Sequence, residues 1–368
     1  MSQTKVAAPF VEHNAHFKNL IINVDMHVRQ RDDTSVHNNG VVKPCDMWQQ
    51  WGSAMDNIQG TLAIDSSIPA GYGFSASLRF DTTVAESALA ADEYQALVTH
   101  VEAQNAHHLC FGHSDAKATT LSWWSKSNLT GTDQDFVVNV KATDGSREIT
   151  KSFYHAAANT WEKFTMAIPG DASGTINDDS GQGFEIKWIL AAGSNFTSAD
   201  STAWGSVATG GFAYGQSANI AASTSNDFYI TGVQLEVGDV ATDYEYLPYS
   251  VQLQRCHRYY YKHTQPQTGN NEPIANGMYY SSSQVNAHIH FPVPMRASPS
   301  VVCTDVSGHF TVFRDSAADG CNNWTGGEQT ENVGEIYNNS DMSGTAGHAC
   351  TLATNNANAL LAFSAELG

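Results

Sequence analysis

Short segments in which apolar and polar residues alternate are the feature that most constrains the fold of this chain. In residues 136–140 and 228–237, most apolar side chains are followed by a more polar one. Successive side chains of a strand point to opposite faces, so this period of two predicts half-buried β-strands. The β-type runs, separated by Gly, Asn, Asp and Ser, lie at residues 20–28, 74–80, 118–126, 136–142, 161–168, 184–191 and 228–237.

Strands at this spacing, without helices between them, predict an all-β fold: a jelly-roll β-sandwich followed by a second, smaller β-sandwich. Residues 94–101 fit a helix or a strand equally well. Pro248 cannot donate a hydrogen bond to a sheet, so we place a domain boundary beside it. The predicted organisation is an N-terminal arm at 1–18, the jelly roll at 19–248 and the C-terminal sandwich at 249–368, with strands at 283–291, 300–304, 309–313 and 360–366.

The charge of the chain excludes several classes of partner. Its 37 acidic and 18 basic residues give a formal net charge of −19, and no run of Lys and Arg offsets it. Nucleic acid would be repelled, and no apolar run is long enough for a membrane-spanning helix, so no membrane insertion is expected. Residues 1–17 lack the pattern of a signal peptide, which favours folding in a cytoplasm. Charged residues are only 15% of the chain, which suits surfaces that bind neutral polar ligands such as sugars.

Several strings occur in one order along residues 19–300 and together are more specific than any of them alone. They are residues 19–26 (NLIINVDM), 46–48 (DMW), 102–105 (EAQN), 120–127 (TLSWWSKS), 158–163 (ANTWEK), 168–171 (IPGD), 228–238 (FYITGVQLEVG), 255–262 (RCHRYYYK) and 291–299 (FPVPMRASP). With these strings the chain resembles phage and prophage tail-fibre proteins that carry a carbohydrate-binding-module-like jelly roll and a distal β-sandwich.

The resemblance implies a bacteriophage virion protein, assembled in the host cytoplasm as a homotrimer, that functions in host adhesion. As a tail-fibre or similar appendage subunit it would bind a host-surface glycan, and the N-terminal arm would dock onto other virion proteins. The alternative is an architectural virion protein, such as a capsid decoration, head fibre or fibre adaptor, without receptor binding. A secreted bacterial carbohydrate-binding protein is a third interpretation, which the missing signal peptide disfavours.

Tryptophans are the first candidates for glycan binding, because flat rings stack on the apolar faces of sugars. Trp204 and Trp324 lie in segments rich in Gly, Ser and Thr, which favours exposure. Trp123 and Trp124 are neighbours in one predicted strand, so one belongs to the core and the other faces solvent, a ligand or a partner subunit. The glycan-binding candidates are therefore Trp204, Trp324 and Trp124, although packing accounts for most large aromatic residues.

Metal binding and catalysis have weaker signals. Related modules carry a carboxylate that binds a structural calcium ion at the position of His27, so the histidine puts this calcium site in doubt. The acidic pair Asp178 and Asp179 is another candidate for calcium binding, and the alternative is that these residues form a solvated acidic loop. His288 and His290 would share one face of a strand, and we expect surface histidines there. No nucleophile elbow, zinc-protease or phosphate-loop string occurs, so we predict that the chain is not an enzyme and has no cofactor.

Overall fold

The computed structural model of the protein describes residues 17–31, 36–37, 41–53, 59–264 and 271–368, with only the backbone at 36–37. The predicted N-terminal arm therefore lies almost entirely outside the described residues. Contacts divide the chain into two compact units, Met1–Leu247 (unit 1) and Pro248–Gly368 (unit 2). The sequence places its boundary one residue later, after 248.

Unit 1 is built from antiparallel strands and one short helix. The strands are β1 (Val36–His37), β2 (Val42–Cys45), β3 (Trp48–Ser53), β4 (Gln59–Asp65), β5 (Ser77–Val84), β6 (Tyr94–Glu102), β7 (Thr119–Ser127), β8 (Phe136–Ala142), β9 (Arg147–Phe153), β10 (Glu162–Ile168), β11 (Gln182–Ala192), β12 (Gly205–Ser206) and β13 (Asp227–Val237). The helix is α1 (Ala103–Ala106), and short 3-10 turns lie at His107–Leu109, Ser194–Phe196 and Ile220–Ala222.

These strands form two sheets whose inner faces share a core. Sheet 1 has the order β1-β4-β5-β13-β7-β10, and sheet 2 has the order β12-β9-β8-β11-β6-β3-β2. Trp123 of sheet 1 contacts Trp188 of sheet 2, with ring centroids 6.0 Å apart, and Trp188 contacts Trp48 at 5.5 Å. All three rings are buried. Large aromatic side chains bury much apolar surface, so these contacts hold the sheets together.

The structure overturns one sequence-based prediction for unit 1 and decides another that was left open. Residues 20–28 are buried but form no strand, because Asn23 and Met26 adopt left-handed backbone conformations (φ 56° and 54°). The Asn23 side chain instead binds the backbone of Val28 and Asp46, which makes a compact loop of an apolar run. Residues 94–101, which fitted a helix or a strand, lie in β6 at the centre of sheet 2.

Unit 2 repeats the all-β architecture on a smaller scale. Its elements are α2 (Tyr249–His257), β14 (Tyr260–Lys262), β15 (Pro273–Ser281), β16 (Gln284–His290), β17 (Ser300–Cys303), β18 (Phe310–Arg314), β19 (Ala317–Cys321), β20 (Thr325–Gln329), β21 (Val333–Asn338), β22 (Ala349–Thr354) and β23 (Leu361–Ser364). Sheet 3 has the order β14-β23-β17, and sheet 4 has the order β19-β18-β22-β15-β16-β21-β20. The predicted all-β fold with antiparallel sheets is confirmed.

Helix α2 lies in a segment for which the sequence predicts no helix. It begins directly after Pro248, whose carbonyl accepts hydrogen bonds from the backbone of Val251 and Gln252. Arg255 and His257 lie in its last turn, where positive charge is favoured by the helix dipole. No described helix is long and apolar enough to span a membrane.

Acid is expected to destabilise unit 1 through His155. This side chain is fully buried among the rings of Phe136, Phe153 and Phe164, with its Nε2 3.0 Å from Ser125 Oγ. Burial lowers the pKa of His155 to about 4. An unfolded histidine titrates near pH 6.5, so on acidification the unfolded chain takes up the proton first and stability falls between about pH 6.5 and pH 4.

For this single group, the free energy of unfolding should drop on the order of 2 kcal/mol between pH 7 and pH 4.5. Denaturant unfolding at both pH values, followed by tryptophan fluorescence, measures this drop in the free energy of unfolding. His155→Gln should lose this part of the pH dependence, whereas the exposed His288→Gln should keep it. An unchanged pH dependence in His155→Gln would refute the assignment.

Candidate functional site

The outer face of sheet 1 presents an uninterrupted set of side chains on adjacent strands. Trp123 points into the core, so Trp124 faces outward, and the strand register pairs it with Thr231 of β13 and Lys163 of β10. Two residues further along β7, Lys126 pairs with Tyr229 on the same face. Because side chains alternate between the two faces of a strand, the pairing of β7 with β13 places Trp124, Lys126 and Tyr229 on the same face.

Trp124 and four further aromatic residues, Tyr72, Phe74, Tyr244 and Tyr246, form a cluster that we call the platform. Tyr72 contacts Trp124, with ring centroids 4.4 Å apart, and stacks almost parallel to Phe74 at 6.1 Å. Phe74 contacts Tyr244 at 4.9 Å and Tyr246 at 6.2 Å. Phe74 is buried beneath the others, whereas Tyr72 and Tyr246 expose 46% and 56% of their surface. The platform is thus a supported aromatic surface that is open to solvent.

Glycines shape the platform at two points. Tyr72 lies between Gly71 and Gly73, which both adopt positive φ (86° and 65°) and turn the backbone so that the ring projects from the loop. Gly232 has φ +60°, and a Cβ atom there would lie 2.5 Å from Cζ of Phe74. Only a glycine leaves room for Phe74 to lie on β13. The Tyr246 hydroxyl also donates a hydrogen bond to the carbonyl of Tyr72, which joins the two exposed rings.

A second group on the same face, the polar cluster, consists of Arg79, Lys126, Trp161, Asp227 and Tyr229. Lys126 Nζ lies 3.8 Å from the ring centroid of Tyr229 and 5.4 Å from that of Trp161. The Arg79 guanidinium lies 5.4 Å from the Tyr229 ring and 3.6 Å from Asp227 Oδ2. These distances fit cation–π contacts and an ion pair that fix the side chains in place.

Burial determines the protonation behaviour of the polar cluster. It raises the pKa of Tyr229 to about 12 and raises that of Asp227, and it lowers the pKa of Lys126. Three buried polar atoms in this cluster have no hydrogen-bond partner: Arg79 Nε, Asp227 Oδ1 and Trp161 Nε1. These three atoms are buried, so a ligand on the open face would be hydrogen-bonded by exposed groups such as Lys163 instead.

The outer face of sheet 2 is also polar, but it is closed. The register aligns Gln49, Val98, Lys187, Asn139 and Thr150 across five strands, and each is at least nine-tenths buried. The segment 193–222 covers part of this row through hydrogen bonds from Ala208 N to Glu148 Oε1 and between Thr150 and Ser201.

Some polar atoms of this closed face have no hydrogen-bond partner, namely Gln49 Nε2, Trp51 Nε1, Asn139 Oδ1 and His100 Nε2, although His100 Nε2 lies 3.9 Å from Glu185 Oε2. Burial lowers the pKa of His100 to about 4, so its ring is neutral at pH 7. Lys187 forms an ion pair with Glu185 and lies 5.7 Å from the ring centroid of Trp51. A ligand would have to displace covering segments to reach this row, whereas the face of sheet 1 is directly accessible.

The three tryptophans predicted to bind glycan do not form one site. Trp124 belongs to the platform. Trp204 is half-buried elsewhere in unit 1, where its Nε1 donates a 2.6 Å hydrogen bond to the Pro169 carbonyl and its ring packs edge-on against Phe111. Trp324 is 2% exposed in the core of unit 2, so its predicted exposure is wrong. Its Gly-rich neighbours form strand β20 instead of an open loop, and the ring packs against Phe310.

The metal candidates remain separate from one another. Asp178 and Asp179 are exposed, and Asp179 Oδ1 accepts a hydrogen bond from the backbone of Gly181 within its own turn. His288 and His290 are exposed on one face of β16. Among the described residues, no three His, Cys, Asp or Glu side chains converge in a way that could hold a metal ion, His27 included.

Comparison with known proteins finds similarity of strand arrangement alone. No family model and no curated protein matches the chain. Similar solved structures include the enzymatically active domain of tailspike protein 4 from bacteriophage CBA120 (TM-score 0.32, 11% identity), a family 11 carbohydrate-binding module from Clostridium thermocellum in complex with a β-1,3-1,4-mixed-linked tetrasaccharide (0.27, 13%) and TmCBM61 in complex with β-1,4-galactotriose (0.25, 10%).

The matched regions cover 60%, 53% and 52% of this chain, in that order. They cover 22% of the tailspike domain and 91% and 88% of the two binding modules. The chain thus spans less than a quarter of the tailspike domain that it matches. At these TM-scores and identities, no function follows from the similarity.

Gly232→Ala should disturb the platform from beneath. The new Cβ would collide with Phe74, and alanine disfavours the positive φ, so we expect a loss on the order of 2 kcal/mol in the free energy of unfolding. Chemical denaturation measures the loss. Gly205→Ala is the matched control in unit 1, since the nearest atom to its Cβ would be 3.8 Å away. Equal stability of the two variants would show that Phe74 is not held on Gly232.

Proposed function

We propose that unit 1 binds carbohydrate on the outer face of sheet 1, with the platform as the stacking surface. The observation that carries this proposal is the pair of exposed rings, Tyr72 and Tyr246, supported by the buried Phe74 and flanked by Trp124. Sugar rings have apolar C–H faces that pack on aromatic faces, and hydroxyl groups around them that need hydrogen-bond partners.

The polar groups beside the platform supply such partners. Lys163 is exposed next to Trp124, and Lys126 donates a 2.8 Å hydrogen bond to Ser67 Oγ at the other end of the cluster. Contacts with the Tyr229 ring restrict the freedom of Arg79 and Lys126 before a ligand binds, which reduces the entropic loss on binding.

We propose further that the protein is not an enzyme. Asp227 of the polar cluster and the neighbouring Asp81 share one structural partner: Arg79 Nη2 lies 2.8 Å from Asp81 Oδ1 and 3.6 Å from Asp227 Oδ2. Glycoside hydrolysis needs one carboxyl group as proton donor and a second as base or nucleophile across the scissile bond. Carboxylates that share one guanidinium are poorly suited to those roles.

The wider role that we propose is that of a bacteriophage tail-fibre or similar appendage subunit that binds host-surface glycan. It is supported by the ordered strings of residues 19–300 and by the open platform. In a homotrimer, three copies of a weak site would act together and strengthen attachment to a surface that carries many glycans. Docking onto other virion proteins through residues 1–18 remains a prediction, as does the architectural alternative without receptor binding.

Glycan binding through the platform predicts a defined pattern of losses. The purified chain should bind members of a printed glycan array, and Trp124→Ala and Tyr72→Ala should each weaken the binding about tenfold, equivalent to about 1.4 kcal/mol. Tyr154→Ala is the matched control, because Tyr154 is an exposed aromatic residue of unit 1 outside the platform. Titration of the strongest array ligand measures the affinities.

A Trp51→Ala variant tests the closed face of sheet 2 in the same titration. If this variant loses binding while Trp124→Ala retains it, the platform is not the site. If no array glycan binds the intact chain and antibodies still locate the protein on phage particles, the architectural alternative is favoured.

A further inference from the structure

Unit 2 carries an open groove on the outer face of sheet 4. Its volume is about 660 Å³, and it is bordered by the β18–β19 hairpin, β22 and β15. The register aligns Phe313, Thr351 and Asn276 on three adjacent strands of sheet 4. Val312 and Leu352 point into the core, so their neighbours Phe313 and Thr351 face outward into the groove.

The outward row combines one ring with neutral hydrogen-bonding groups. Phe313 is 39% exposed, and Thr351 and Asn276 are exposed as well. At the usual strand spacing the three positions span roughly 10 Å, the scale of a short ligand lying across the strands. Small side chains at Ala317, Ala318 and Ala349 leave the space around the ring open.

The ionic groups at the groove already have partners. Arg314 Nε lies 3.0 Å from Asp319 Oδ2, and its Nη2 donates to Asp319 Oδ1 at 3.2 Å. At the hairpin turn, His348 Nδ1 lies 2.7 Å from Asp315 Oδ2. The charged side chains that line the groove, Arg314 and Asp315, therefore both have partners, so an uncharged ligand fits this lining without an added counter-charge.

The hairpin that carries the ring is held in a fixed shape. Asp315 and Ser316 both have positive φ (46° and 61°), as in a tight two-residue turn. The Tyr279 hydroxyl donates a 2.5 Å hydrogen bond to Asp319 and is 3.0 Å from Arg314 Nε, so the hairpin is tied to β15 across the sheet. The groove is therefore present before any ligand binds, which reduces the entropic loss on binding.

We infer that this groove is a second binding site, for an uncharged saccharide that stacks on Phe313 and is hydrogen-bonded by Thr351 and Asn276. The inference does not depend on the platform, because the two sites lie in different units and share no residue.

The test uses the full chain carrying Trp124→Ala and Tyr72→Ala, so that binding at the platform is weakened. On a printed array of neutral and sialylated glycans, this chain should retain binding to neutral members. Adding Phe313→Ala should reduce the residual affinity about tenfold. Tyr280→Ala is the matched control, since Tyr280 is 69% exposed in β15 but does not line the groove.

Three results would overturn the inference: no residual binding in the platform variant, residual binding that Phe313→Ala leaves unchanged, or an equal loss in Tyr280→Ala. Stronger residual binding of sialylated than of neutral members would overturn the assignment of an uncharged ligand. The proposal for the platform fails separately, if the intact chain and the Trp124→Ala chain bind neutral glycans equally.

Discussion

The contact between Trp123 and Trp188 across the core of unit 1 is the interaction on which the rest of the site depends. It joins the inner faces of the two sheets, and Trp48 extends it within sheet 2. Because neighbouring residues of a strand point to opposite faces, burying Trp123 forces Trp124 outward. The same alternation places Lys126 beside Tyr229, so the burial of Trp123 determines which side chains of β7 point outward.

The two outer faces of unit 1 use polar residues in different ways. On sheet 2 the polar row is partly covered by the segment 193–222, which hydrogen-bonds Thr150 of the row and the nearby Glu148. On sheet 1 the platform rings pack on one another and still expose two tyrosines. Aromatic side chains need few internal hydrogen bonds, so a cluster of them can remain open without leaving many polar groups unsatisfied. That difference in exposure, more than the number of polar residues, distinguishes a binding surface from a buried polar layer.

Much of the strand pattern follows from the sequence. Residues 136–142 coincide with β8, and 228–237 and 161–168 differ from β13 and β10 by a single residue. The failures have local causes. The run at 20–28 is apolar enough for a strand, but Asn23 organises it as a loop through its own side chain. Helix α2 is only nine residues long and half-exposed, so it has little apolar periodicity to detect.

The platform could be predicted only in part. Alternation within β7 identified Trp123 and Trp124 as a divergent pair, and Trp124 is in the platform. Tyr72, Phe74 and Tyr246 come from segments far apart in sequence, and no periodic pattern joins them. The string Gly71-Tyr72-Gly73-Phe74 was the available signal, since paired glycines mark a backbone that presents the ring between them. The predicted exposure of Trp324 is wrong because its Gly-rich surroundings form an edge strand over the core of unit 2.

Glycan binding at the platform can be measured by the protection of backbone amides from hydrogen exchange, compared with and without the strongest array glycan. On unit 1 we expect new protection at residues 71–74, 120–127, 227–231 and 244–246, which surround the outer face of sheet 1. Protection confined to residues 95–101 and 185–189 of sheet 2, with none around the platform, would contradict binding at the platform.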